Sequence, residues 1–298
     1  MRPGLTAKLA LAVFVPTLAT LATLPGGALF AAEPPCRICA GVLVDDPFVA
    51  ATAVEAAPRL EKEAVFFVAW DAPLDGTASP AAAHRLAAAG ARPWIRLLFS
   101  TPAPLLDHLD ALQHEVDAAV ELARLSPPQT HYEVVWQGEG GSPIEPRGHA
   151  FLVKRVAVAL TGAQPEARVF AHPLPGDSAG LALWYGEGVS AYIDGVAVAP
   201  ADDPALAATL ADLAGLDPGR TVALAALELP ADARLGVAEV ARRATSGIGI
   251  TFLRSAAPTA TDLAPFKVFA NELRGEVEPD PGTTPPGGTA WSFVRGED

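Results

Sequence analysis

Short apolar runs recur along the chain after residue 35, and a stretch with helical spacing of apolar residues follows each one. The runs cover Ile38 to Val44, Ala64 to Trp70, Trp94 to Phe99, His131 to Trp136, Arg168 to Ala171, Ile193 to Val198, Thr221 to Leu227 and Ile248 to Leu253. Each is short and almost wholly apolar, as expected of parallel strands covered on both faces. The stretches between them predict helices over Pro47 to Lys62, Pro80 to Ala89, Leu105 to Leu125, His149 to Leu160, Leu181 to Val189, Pro204 to Ala214, Ala233 to Thr245 and Asp262 to Arg274. In the third, Leu105, Leu109, Leu112, Val116, Val120 and Ala123 recur at helical intervals. Eight strand–helix units predict an α/β chain closed as a (β/α)8 TIM barrel, which needs about 250 residues. An open doubly wound sheet is the rival. It normally uses fewer strands, and no Gly-rich phosphate fingerprint follows the first run.

The segments outside the barrel read differently. Arg2 and Lys8 precede an apolar stretch from Leu9 to Leu24, and small residues follow up to Ala31 and Ala32. Residues 1–32 are therefore expected to be a signal peptide cleaved near Ala31 or Ala32, with an uncleaved anchor as the other reading. No later stretch reaches the roughly 18 apolar residues of a membrane span. The expected location is secreted or periplasmic. The barrel domain is assigned to residues 36–275. Residues 276–298 begin as a Pro/Gly/Thr-rich linker, and Thr289 to Val294 read as the start of a strand. A front portion of a longer, two-domain protein is the expectation there.

Composition narrows the partners. Of 298 residues, 50% are hydrophobic and 18% charged, enough for a large core, and the net charge of −13 makes nucleic acid and anionic membrane surfaces poor partners. Neutral ligands such as sugars fit this balance. The two cysteines, Cys36 and Cys39, are candidates for a local disulfide in an exported chain. No matching Cys or His pair supplies a metal site, and no cofactor motif is expected.

Barrel proteins place their chemistry at the C-terminal ends of the strands. The fourth run ends in Trp136-Gln137-Gly138-Glu139 and the seventh in Leu227-Glu228. Other strand-end residues are Asp45, Asp46, Asp71, His172 and Arg254, with Trp70 beside Asp71.

The order of these features resembles the clan A retaining glycoside hydrolases, in their β-xylosidase-like and cellulase-like branches. Tyr132 to Trp136, Gln164 to Val169, Tyr192 to Val198 and Pro218 to Thr221 carry the likeness, which covers roughly Ile38 to Arg274. The resemblance implies a nucleophile after strand 7 and an acid/base after strand 4, with carboxyl groups ~5–5.5 Å apart. By position Glu228 is the implied nucleophile. The family pattern Trp-Asn-Glu-Pro is replaced by Trp136-Gln137-Gly138-Glu139, so glycine stands at the acid/base position and Glu139 follows one residue late. Gln137 is placed to meet a sugar hydroxyl, and Trp136, Trp70, Asp71, Asp45, His172 and Arg254 are the other candidate substrate contacts. Three readings follow. The barrel hydrolyses a glycoside through Glu228 with Glu139. Alternatively it has lost hydrolysis, and binds saccharide or scaffolds an envelope assembly. The third is an unrelated barrel enzyme working through Asp45 and Asp71.

Overall fold

The computed structural model describes residues 38–61, 63–138, 145–172, 174, 177–273, 277–279 and 293–295. Eight parallel strands close into one barrel in chain order. They are β1 (Cys39–Val44), β2 (Phe66–Pro73), β3 (Arg92–Phe99), β4 (His131–Trp136), β5 (Arg168–His172), β6 (Gly195–Val198), β7 (Thr221–Glu228) and β8 (Ile250–Arg254). Eight helices alternate with them: α1 (Pro47–Ala56), α2 (Ala81–Ala88), α3 (Leu109–Leu125), α4 (Pro146–Ala163), α5 (Ser178–Gly186), α6 (Asp203–Leu216), α7 (Ala233–Thr245) and α8 (Ala260–Glu272). β8 pairs with β1, so the barrel has no edge.

The period-two geometry of a strand divides these residues into two cores. Phe66, Val68 and Trp70 of β2, with Tyr132, Val134 and Trp136 of β4, face outward into the layer shared with the helices. Phe67, Ala69, Trp94, Phe170, Ala197, Ala223, Ile250 and Phe252 fill the barrel itself. The inner core is aromatic. Trp94 lies 4.3 Å from Phe170 and 4.9 Å from Phe252, centre to centre. Glycine makes room for these rings: a Cβ at Gly195 would overlap the Phe170 ring and one at Gly41 the Phe252 ring.

The eight predicted units are all present, with shifts at their ends. α1 stops at Ala56 instead of running to Lys62, its end closed by an Ala57 amide bond to Ala53. The third helix opens with a 3-10 turn over Leu105–His108. The fifth begins earlier than its apolar spacing suggests, because Asp177 caps it through the Gly180 amide. It ends at Gly186, and Gly188 takes the left-handed conformation before a second 3-10 turn. Beyond the barrel, Val277–Pro279 and Phe293–Arg295 pair as an antiparallel ribbon. No helix among the described residues is long and apolar enough to cross a membrane.

Candidate active site at the barrel mouth

The inner parity of each strand continues past the aromatic plug and turns polar at the C-terminal end. β1 leads inward to Asp45, β2 to Asp71, β3 to Arg96, β4 to Glu133, β5 to His172 and β8 to Arg254. β7 follows the same rule only because of an irregularity. Leu224 pairs with Thr251 and Leu227 with Leu253, so β7 carries one extra residue between them. Ala223 faces inward before that point, and Ala226 packs on the same inner core after it. The bulge therefore reverses the parity and sends Glu228, two residues on, toward the mouth beside Arg254. Without it Glu228 would face the helices.

Seven consecutive strands, β7 through β8 and β1 to β5, thus contribute one titratable side chain each to the mouth. Arg254 meets Asp45 at 3.1 Å. Arg96 meets Asp71 at 2.6 Å and Glu133 at 3.4 Å. Glu133 is the most enclosed, 3% exposed at its side chain, and accepts the Trp94 indole N–H at 2.8 Å. His172 Nδ1 lies 3.0 Å from the same carboxylate, at ion-pair range without the alignment of a hydrogen bond. Burial pushes the Glu133 carboxyl up. His172, Arg96 and the Trp94 N–H together outweigh it, holding the group below the ordinary carboxylate range. Asp71 moves the other way. Burial raises it, Glu133 and Asp45 add to the rise, and Arg96 and Arg254 only partly offset them. The Glu228 side chain is exposed and, among the described residues, forms no hydrogen bond or ion pair.

The other strand-end candidates lie elsewhere. Trp70 and Trp136 are both buried in the outer core, facing the helices rather than the mouth. Trp136 Nε1 donates to the Thr101 carbonyl at 3.1 Å. That loop is itself pinned by the buried Glu115 of α3, which accepts from the amides and hydroxyls of Ser100 and Thr101. Gln137 is exposed at the rim, its amide bonded to the Phe99 carbonyl. Asp46 caps α1 through the Phe48 amide at 2.8 Å. Cys39 is disulfide-bonded at the foot of β1. Glu139 and Cys36 lie outside the described residues.

Gly138 is fixed by two constraints at once. Its φ is +58°, and a Cβ there would overlap the six-membered ring of Trp136. Glycine is thus required where the resemblance implies a glutamate. Gly138→Ala is expected to cost about 1–3 kcal/mol in chemical denaturation, since left-handed strain and overpacking act together. A change below about 0.5 kcal/mol would show that the Trp136 ring yields freely.

Arg96, Glu133 and Glu115 were not singled out from sequence. The signal was available: each is a charge set in an otherwise apolar strand or helix face, and buried charges must be paired.

No family model and no curated protein matches the sequence. Solved structures do. A family 39 glycoside hydrolase from Bacteroides cellulosilyticus WH2 aligns with a TM-score of 0.50 at 12% identity, over 82% of this chain and 65% of that one. A family 18 chitinase from Crocus vernus aligns with a TM-score of 0.50 at 11% identity, over 79% and 98% of the two chains. The GH26 domain of an endo-β-mannanase/endo-β-glucanase from Prevotella bryantii gives 0.49 at 10%, over 78% and 89%. At such identities the likeness is one of fold, a barrel built like those of glycoside hydrolases.

Proposed function

We propose that the chain is an exported glycoside hydrolase-like barrel that acts on carbohydrate by a retaining mechanism, with Glu228 as the nucleophile. The observation that carries this reading is the β7 bulge, which turns an otherwise outward Glu228 into the mouth and leaves its carboxylate without a partner among the described residues. Bulges commonly re-aim a side chain beside an active site. Export, to the periplasm or outside the cell, is supported by the N-terminal pattern of residues 1–32 and by the disulfide at Cys39. In this reading Glu228 attacks the anomeric carbon and a second mouth carboxyl protonates the leaving oxygen. Glycine at 138 has no proton to give, so that role falls to another residue.

A second reading is favoured by the Trp136–Gly138 contact. A barrel that has committed this position to packing, and has no other donor, binds saccharide without cleaving it.

Glu228→Gln separates the two. Under the enzymic reading it lowers kcat/KM on a cleavable aryl glycoside by at least about 10³-fold, the scale of losing a catalytic group, with the melting temperature unchanged. Undiminished turnover would remove Glu228 from the reaction. Wild-type protein that binds oligosaccharides and cleaves none would establish the binding barrel.

A further inference from the structure

The mouth holds four carboxyl groups among the described residues, Asp45, Asp71, Glu133 and Glu228, and they are not equivalent. Glu133 is enclosed by Trp94, Arg96 and His172 and has no open face toward a substrate. Asp45 follows β1, two strands from β7, and is paired with Arg254. Asp71 stands on β2, points inward by parity, and its side chain is 45% exposed to the mouth. The guanidinium it pairs with, Arg96, is shared with Glu133.

The closed strand order adds a symmetry argument. Going around the barrel from β7, β4 is three strands away through β6 and β5. β2 is also three strands away, through β8 and β1. A carboxyl group at the end of β2 therefore subtends the same arc from Glu228 as one at the end of β4, from the opposite side of the mouth. The β4 position is filled by Gly138 packed against Trp136. The β2 position is filled by an inward carboxyl group.

We infer that Asp71 is the proton donor that works with Glu228, so that the acid has moved from the β4 side of the mouth to the β2 side. The inference rests on the hydrolase reading above. In the first step a Glu228 oxygen bonds to the anomeric carbon as the glycosidic C–O bond breaks. The Asp71 proton passes to the departing oxygen, which leaves as an alcohol. In the second step water attacks the anomeric carbon, gives a proton to the Asp71 carboxylate, and the bond to Glu228 breaks. Burial keeps the Asp71 proton on toward higher pH than an ordinary aspartate, as a donor needs. The groups that face it are Arg96 on β3, Glu133 on β4, Asp45 after β1 and Arg254 on β8. Arg96 is a positioning residue here, holding the Asp71 carboxyl at 2.6 Å.

The test compares phenyl and 2,4-dinitrophenyl glycosides across a panel of sugars, using the full chain. A dinitrophenolate departs without a proton. Asp71→Asn is expected to slow release of phenol by about 10²–10⁴-fold, and to change release of dinitrophenol less than tenfold where bond cleavage limits the rate. An equal loss on both, or no loss on either, with Glu228→Gln inactive, overturns the donor assignment and leaves the hydrolase reading standing. Absence of turnover by the wild-type protein on every glycoside overturns both. If Asp71→Asn does not fold, Arg96→Gln serves in its place. Removing that positive charge moves the alkaline limb of kcat/KM to higher pH if Asp71 is the donor, and leaves the limb where it was if the donor is a group that Arg96 does not touch.

Discussion

Glu133→Ala is expected to destabilise the barrel by about 3–5 kcal/mol, the largest loss of any single substitution at the mouth. Breaking a buried charge pair costs this much because the partner is left behind uncompensated. Here three partners are left. Arg96, only 14% exposed, loses one of its two carboxylates, and His172 loses its ion-pair neighbour. The Trp94 indole N–H, fully buried among Phe67, Phe170 and Phe252, loses its acceptor. For a domain of this size the change corresponds to a fall in Tm of roughly 6–20 °C. Glu133→Gln keeps the volume and an acceptor for Trp94 while removing the charge, so its cost is expected to be well below that of alanine. Paired with Arg96→Met, Glu133→Ala should cost less than the sum of the two single changes, because each substitution removes the group that the other strands. Chemical denaturation of the four proteins measures this directly. A loss under about 1 kcal/mol for alanine would mean that water enters the mouth and screens the cluster.

The same cluster shows what could be read along the chain and what could not. The eight units were legible because a covered parallel strand is a short apolar run and a helix beside it has a distinct period. β4 and α7 begin and end where their apolar patterns do. The helix ends that moved did so through capping and glycine geometry, as with Asp177 before α5 and Gly188 after it. Those are backbone effects that apolar periodicity does not encode. The positions of Asp45, Asp71, His172, Glu228 and Arg254 at strand ends were also legible. Their relations were not. A bulge in β7 decides which way Glu228 points, and Ala223 to Glu228 contains no residue that announces it. Trp70 and Trp136 were candidate substrate contacts by their place near the strand ends, yet one residue of parity sends both to the outer core.

The segments that carried the family likeness have a physical role of a different kind. Gln164 bonds the Tyr132 hydroxyl and the carbonyls of Ser126 and Pro127. Asp194 ties Arg168 and the Val169 amide, and Arg220 ties Asp217 and Ser190. All of these lie at the N-terminal rim, where barrel residues serve stability. The likeness was therefore strongest where a shared fold needs it and weakest at the mouth. A fold-level match at 11–12% identity is consistent with that division.

Acid lability is the second large effect expected, and it arises behind the mouth rather than in it. His149, on α4, is fully buried, its ring stacked 5.7 Å from Trp184, and among the described residues neither ring nitrogen makes a well-aligned hydrogen bond. Burial, helped by the charge of nearby His172, holds the ring down to about 4, against a weaker upward pull from the His172 backbone. An unfolded histidine titrates near 6.5. The folded protein thus binds fewer protons than the unfolded chain between those values, and stability rises with pH across the window. Taken through it in the acid direction, the fold loses about 2 kcal/mol by pH 5 and about 3 kcal/mol by pH 4 from this one residue. Glu133, held below its ordinary range, adds to the loss only as pH falls further, through the carboxylate region. His149→Phe keeps the ring and its stacking on Trp184 and removes both the unpartnered nitrogens and the titration. The variant is expected to match or exceed the wild type at pH 7 and to gain about 2 kcal/mol on it at pH 5, read from urea unfolding at the two pH values. Equal pH dependence in the two proteins would show that His149 opens to solvent before the barrel unfolds.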